Sequence, residues 1–142
     1  MRRQAVSREW NCHSERTIRD LYEARARRDR DAVRALLPDE IGWHEPGEAD
    51  HSGDYRGREE VVALLQKLVS VTDGTFQLEP EAFLNSVDYS SVLVRWWAER
   101  EGIRCEGNDI AVDRFRDGKI GQVWFYDDGY DPEAFSAVFR FT

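Results

Sequence analysis

The stretch Tyr89–Tyr126, YSSVLVRWWAEREGIRCEGNDIAVDRFRDGKIGQVWFY, decides the fold. Apolar and polar residues alternate along it with the period of a strand, and only Glu101-Gly102 and Asp117-Gly118 interrupt it, dipeptides that suit tight hairpin turns. It reads as three antiparallel strands: Tyr89–Arg100, Ile103–Arg116 and Lys119–Tyr126. A fourth run, Thr75–Val87, precedes them and is interrupted at Pro80.

Upstream of Gly74 the pattern is helical. Ser14 begins a helix over about 14–28 with Ile18, Leu21, Tyr22 and Ala26 on one face. Asp29 or Asp31 caps a second, whose apolar face is Ala32, Val33, Leu36 and Leu37 and which Pro38 stops. Ile41–Glu45 is a short strand ended by Pro46-Gly47, and Glu48–Tyr55 reads as a polar loop. A third helix follows Arg58, buried through Val61, Val62, Leu64, Leu65, Leu68 and Val69, and Asp131-Pro132-Glu133 opens a short closing helix. The order α-α-β-α-β-β-β-β, with that last helix, is an α+β domain in which a curved sheet wraps against three N-terminal helices and leaves a cone. Residues 1–142 read as one domain, with 1–13 expected to be a flexible extension.

Composition narrows the function. At 142 residues and 41% apolar the chain is large enough for a core, and no run approaches a membrane span or a secretory leader. A cytoplasmic location is the expectation, with Cys12 and Cys105 as free thiols. Residues 1–37 carry +4 and residues 38–142 carry −12, so the body repels phosphates and nucleic acid is not an expected partner. His44, Glu45, Glu48, Asp50 and His51 form a cluster with metal-ligand chemistry but without helical spacing or a third nitrogen or sulfur donor, so neither metal nor cofactor is expected.

Strand alternation puts Trp43 and Glu45 on one face and His44 on the other. A carboxylate beside an indole on a concave surface is poorly solvated, which raises its pKa toward that of a base working near neutrality. Asp109, Ala111, Asp113 and Phe115 likewise share a face, where the two acids either line a wet cavity or pair with arginines such as Arg95 and Arg104. Of the adjacent Trp96 and Trp97, one must face the cone and the other the opposite surface.

Asp29–Leu37 leading into Trp43-His44-Glu45-Pro46, then Tyr55-Arg56-Gly57-Arg58-Glu59-Glu60-Val61, and Phe115–Ile120 with Val123-Trp124, resemble the nuclear transport factor two-like superfamily. Its cystatin-like cone fold includes ketosteroid isomerases, SnoaL-like polyketide cyclases and limonene epoxide hydrolases. The resemblance implies a proton-shuttling role for Glu45 and an oxyanion-donor role for a protonated Asp113. The helix-one tyrosine of the isomerases falls on Leu21, one residue from Tyr22, and the last aspartate of the epoxide hydrolases falls near Phe125 or Tyr126. The resemblance also turns Trp96 inward and Trp97 outward beside Trp124, a face suited to a homodimer.

The resulting expectation is a cofactor-free enzyme of isomerase, cyclase or dehydratase type, moving a proton on a hydrophobic carbonyl compound. Glu45 is the base, Asp113 or Tyr22 steadies the oxyanion, and His44 or His51 assists. Trp43, Trp96 and Phe125 hold the substrate beside Asp109, while His51 and Tyr55 gate the pocket. The competing expectation is a ligand-binding or dimerisation module of the same fold without chemistry.

Overall fold

The computed structural model describes the backbone of residues 2–127 and 129–142, with side chains from residue 13 onward in those ranges. Both hairpin dipeptides turn as their composition demands: φ is 52° and 81° at Glu101 and Gly102, and 52° and 77° at Asp117 and Gly118. Two successive left-handed residues match the twist of the flanking strands. The turns join β4 (Tyr89–Arg100), β5 (Ile103–Arg116) and β6 (Lys119–Asp127), and β3 (Gln77–Asn85) precedes them. Pairing of β3 with β4 is irregular between Pro80 and Ala82, the place where proline withholds a ladder donor.

The helices are α1 (Arg2–Ala26), α2 (Arg30–Leu36), α3 (Arg58–Val71) and α4 (Pro132–Phe139). Asp29 caps α2 by accepting from the Ala32 amide at 3.1 Å, and Asp131 caps α4 with Pro132 in its first turn. β1 (Gly42–Glu45) runs parallel to β6, so the six-stranded sheet, ordered β2-β1-β6-β5-β4-β3, is mixed. The architecture is α+β in the expected order, with two differences.

β2 (Gly53–Arg56) is a strand inside the stretch read as loop, pairing Tyr55 with Trp43 and Gly53 with Glu45. It is a four-residue, largely exposed edge strand, so no apolar alternation announces it. Second, α1 begins at Arg2, because neither glycine nor proline interrupts residues 2–13, and Ser14 lies buried inside the helix instead of capping it. Cys105 is a free, buried thiol, pushed up to about 11 by burial, while the side chain of Cys12 lies outside the described residues.

Register fixes what meets inside the cone. Across β1, β6, β5 and β4 the inward residues stand in rungs spaced about 7 Å apart along the strands. One rung is Trp43, Val123, Asp113 and Ser90; Phe125, Ala111 and Val92, with Glu45 two residues beyond Trp43, form the next; Asp127, Asp109 and Val94 form the third. Gly107 and Trp96 follow. Helices α1 and α3 cover these rungs with Ile18, Leu21, Tyr22, Val61, Leu64, Leu65 and Leu68, all buried.

Candidate functional site

The site grows from the end of β1. Pro46 cannot extend the ladder, so the chain leaves the sheet just after Glu45 has been turned inward. The indole Nε1 of Trp43 donates to Glu45 Oε1 at 3.2 Å, and Phe125 packs on Trp43 with ring centroids 5.2 Å apart. In front of Glu45 is a cavity of about 50 Å³ shared with Arg25, His51, Trp96, Asp109, Phe125 and Asp127. Tyr130 and the α4 side chains Phe135 and Phe139 roof it. Phe135 stacks on Tyr130 at 4.3 Å, and both phenylalanines meet the edge of Trp96.

Two carboxyls in this chamber are shifted upward. Glu45 is pushed up to about 7, chiefly because burial disfavours its charge; Asp127 adds to the effect, while the Trp43 hydrogen bond and the charge of Arg25 oppose it. Asp109 stands well above the usual carboxylate range, through burial first and then the charge of Asp127, its neighbour across the β5/β6 ladder. The two aspartates also share a hydrogen bond, so Asp109 holds a proton at neutral pH. Trp96 Nε1 donates to Asp109 Oδ1 at 3.2 Å. That bond depends on Gly107: a Cβ there would stand 2.6 Å from Cζ2 of Trp96 and force the indole away.

His51 is buried against Phe135 and Phe139, with centroids 5.6 and 5.8 Å away, and burial lowers its pKa, leaving it neutral. Tyr55 donates its hydroxyl to the His51 carbonyl at 2.8 Å, pinning the loop that carries the imidazole. Arg25 is half-buried, its guanidinium 5.8 Å from the Trp43 ring and 5.9 Å from the Tyr22 ring. Among the described residues the guanidinium has no ion-pair or hydrogen-bond partner, so Glu45 is not clamped by it.

Other expected site residues lie elsewhere. Asp113 is 3% exposed, a rung behind Glu45 and absent from the chamber lining; its Oδ2 has no partner among the described residues, and burial pushes it up to about 7. Tyr22 is buried nearby, where burial and then the charge of Asp113 hold its hydroxyl protonated. His44 is on the outer face, bonded to Asp54 and Gln122 at 2.7 Å each and stacked on Trp124. Burial works against its charged form, but the two hydrogen bonds prevail and raise its pKa. Arg95 and Arg104 do not pair with Asp109 or Asp113: the first lies over Trp97, and the second bridges to Glu106 at 3.1 Å.

Sequence reasoning passed over Arg25, Asp127 and the aromatic roof. The signals were present: Arg25 falls seven residues after Ile18 on the apolar face of α1, and Asp127 continues the inward parity of Val123 and Phe125.

A family model described as SnoaL-like domain matches residues 18–123. The structure of Bal32a, from a soil-derived mobile gene cassette, is 26% identical, covers 92% of this chain and 99% of its own, and superposes with a TM-score of 0.84. A protein of unknown function with cystatin-like fold from Xanthomonas campestris is 22% identical over 87% of this chain and 95% of its own, with a TM-score of 0.78. Rv0760c from Mycobacterium tuberculosis, solved in complex with estradiol-17beta-hemisuccinate, is 16% identical over 80% of this chain and 92% of its own, with a TM-score of 0.69. No protein of curated function matches the chain significantly.

Proposed function

The chain belongs to the SnoaL-like domain family, and from that premise we propose that it binds a hydrophobic carbonyl compound and moves a proton next to the carbonyl without a cofactor. The observation that carries this reading is the pairing, in one roofed chamber, of Glu45, poised to ionise near pH 7, with Asp109, which holds a proton there. Two carboxyls whose environments give them opposite protonation states divide the roles of base and acid. The Glu45 carboxylate takes the proton from the carbon beside the carbonyl, and the C–H electron pair moves into an enolate. Asp109 donates a hydrogen bond to the enolate oxygen, assisted by the positive charge of Arg25, and Glu45 returns the proton to the same or a conjugated carbon.

Asp109 takes the donor role that sequence reasoning gave to Asp113 or Tyr22, because Asp109 lines the chamber and they do not. Trp43 holds Glu45, Phe125 and Trp96 wall the substrate, and neutral His51 faces it from the loop that Tyr55 pins.

The experiment is a panel of cyclic and polycyclic ketones incubated with the protein in D2O and followed by mass spectrometry. Deuterium should enter at positions next to the carbonyl, with a rate that rises through about pH 7 as Glu45 ionises. No exchange into any ligand that binds, or undiminished exchange by Glu45→Gln, overturns the reading.

One observation favours the reading without chemistry: with α4 in place the chamber holds about 50 Å³, too little for a steroid-sized ligand. A substrate of that size requires Phe135 and Phe139 to swing away. We also propose that the outer sheet face, with Trp97, Trp124 and the exposed Leu93 and Tyr126, mates two copies into a homodimer. No described helix is long and apolar enough to cross a membrane, and a cytoplasmic location remains part of the proposal.

A further inference from the structure

A second hollow, of about 290 Å³, lies among α1, α2, α3 and β3 on the other side of Arg25 from Glu45. Its size is near the lower limit for small-molecule pockets, about 300 Å³. Val33, Val62, Leu65, Val69 and Leu78 give it an apolar wall. Arg25, Phe76 and Leu78 line both hollows and so form the partition between them.

The charges around this hollow are not equivalent. Arg28, held at φ 59°, spends its guanidinium on the carbonyls of Arg25, Gly74 and Phe76. Asp29, the acid in the lining, caps α2 and faces Arg27 at 3.7 Å. Arg25 is different. Among the described residues only the faces of Tyr22 and Trp43 meet its guanidinium, so a cation withdrawn from water is left with its donors unspent. A guanidinium presents donors in a fork that fits a carboxylate, and Arg30 adds a second positive charge to the lining.

We propose that this hollow binds an apolar molecule bearing a single carboxylate, with the carboxylate on Arg25 and the hydrocarbon body against Val62, Leu65 and Val69. The class is that of medium-chain fatty acids and arylalkanoic acids. The site shares Arg25 with the proton-transfer chamber, but Glu45 does not line it, so the two readings fail separately.

The test compares octanoate with 1-octanol, two probes of equal chain length, by calorimetry and by NMR of protein with labelled Val and Leu methyls. Octanoate should shift the methyls of Val62, Leu65 and Val69 and bind about 10-fold or more tighter than 1-octanol, the margin expected of hydrogen bonds to a charged group. Arg25→Met should erase that preference while leaving weak binding of both probes, and Val69→Phe should weaken both. Glu45→Gln, which abolishes the proposed chemistry, should still bind octanoate. Equal affinities for the two probes, methyl shifts confined to residues outside the hollow, or no binding of either would overturn the site. Should Arg25→Met fail to fold, the comparison on the unaltered chain and on Val69→Phe decides alone.

Discussion

At one level of the cone Asp113 lies buried near Tyr22, with one carboxylate oxygen unpartnered among the described residues; one rung nearer the roof Glu45 faces a cavity, and a rung further Asp109 is hydrogen-bonded to Asp127. Burial raises all three acids, and it raises Glu45 and Asp113 to the same value, about 7. Their surroundings nonetheless assign them different work. Glu45 has a donor, a nearby cation and space for another molecule, whereas Asp113 has none of these among the described residues. A displaced pKa marks a carboxyl that has lost water, and access decides whether that loss serves chemistry or only costs stability.

The sharpest way to break this contrast is a pair of variants. On any ketone that the protein deuterates, Glu45→Gln should lower the exchange rate by about 10²–10⁴-fold, while Asp113→Asn changes it only a few-fold. Comparable losses in both would mean that the inner acid takes part. Next in size, Phe139→Ala should destabilise the fold by about 3–5 kcal/mol in urea titrations, because it empties the packing between α4, Phe76 and Trp96. A cost below about 1 kcal/mol would show that the roof is loosely seated.

Stability should also depend on pH in a direction that can be derived. Glu45 and Asp113 ionise at about 7 in the folded protein against reference values of 4.5 and 3.8, so the folded state holds protons that the unfolded chain has already released. Stability from these two groups is therefore complete below about pH 4 and drains away as pH rises through 7. Asp113→Asn should flatten part of that decline and raise stability at pH 8.5 by about 1–3 kcal/mol, read from the urea midpoint at pH 5.5 and 8.5. An unchanged slope would mean that Asp113 has a partner. The smallest effect belongs to the outer face: His44→Ala should leave exchange within about 2-fold and stability within about 1 kcal/mol, since its bond to Asp54 is largely solvated. A larger loss of exchange would tie that face to the chamber.

The sequence showed the sheet more plainly than the site. The ends of β4 and β5 could be placed because apolar alternation and acid-glycine turns report the same boundary, two local signals with one cause. Inward parity likewise turned Glu45, Trp43 and Asp109 into the cone, while the choice of Trp96 over Trp97 came from the resemblance. What alternation cannot state is depth along the cone, and so the donor role went, through the resemblance, to Asp113, while Asp109, four residues away on the same face of β5, was placed only beside the substrate. Depth follows from register with β6 and from where α4 comes to rest, and both are long-range facts. Arg25 escaped notice because alternating charges on a helix usually mark its wet side.

The C-terminal end of the roof is fastened away from the chamber. Arg100 holds the carbonyls of Val138, Arg140 and Thr142, Arg140 pairs with Glu101, and Asp50 accepts the Phe141 amide. None of these fastenings involves Glu45, Asp109 or Asp127. Exchanging Phe135 or Phe139 for smaller side chains would widen the range of guests, but it would also admit water to Glu45 and Asp109 and lower the pKa values that burial raises. Tyr130, hydrogen-bonded to Asp127, ties the roof to the same groups, so selectivity and reactivity drift together in this cone.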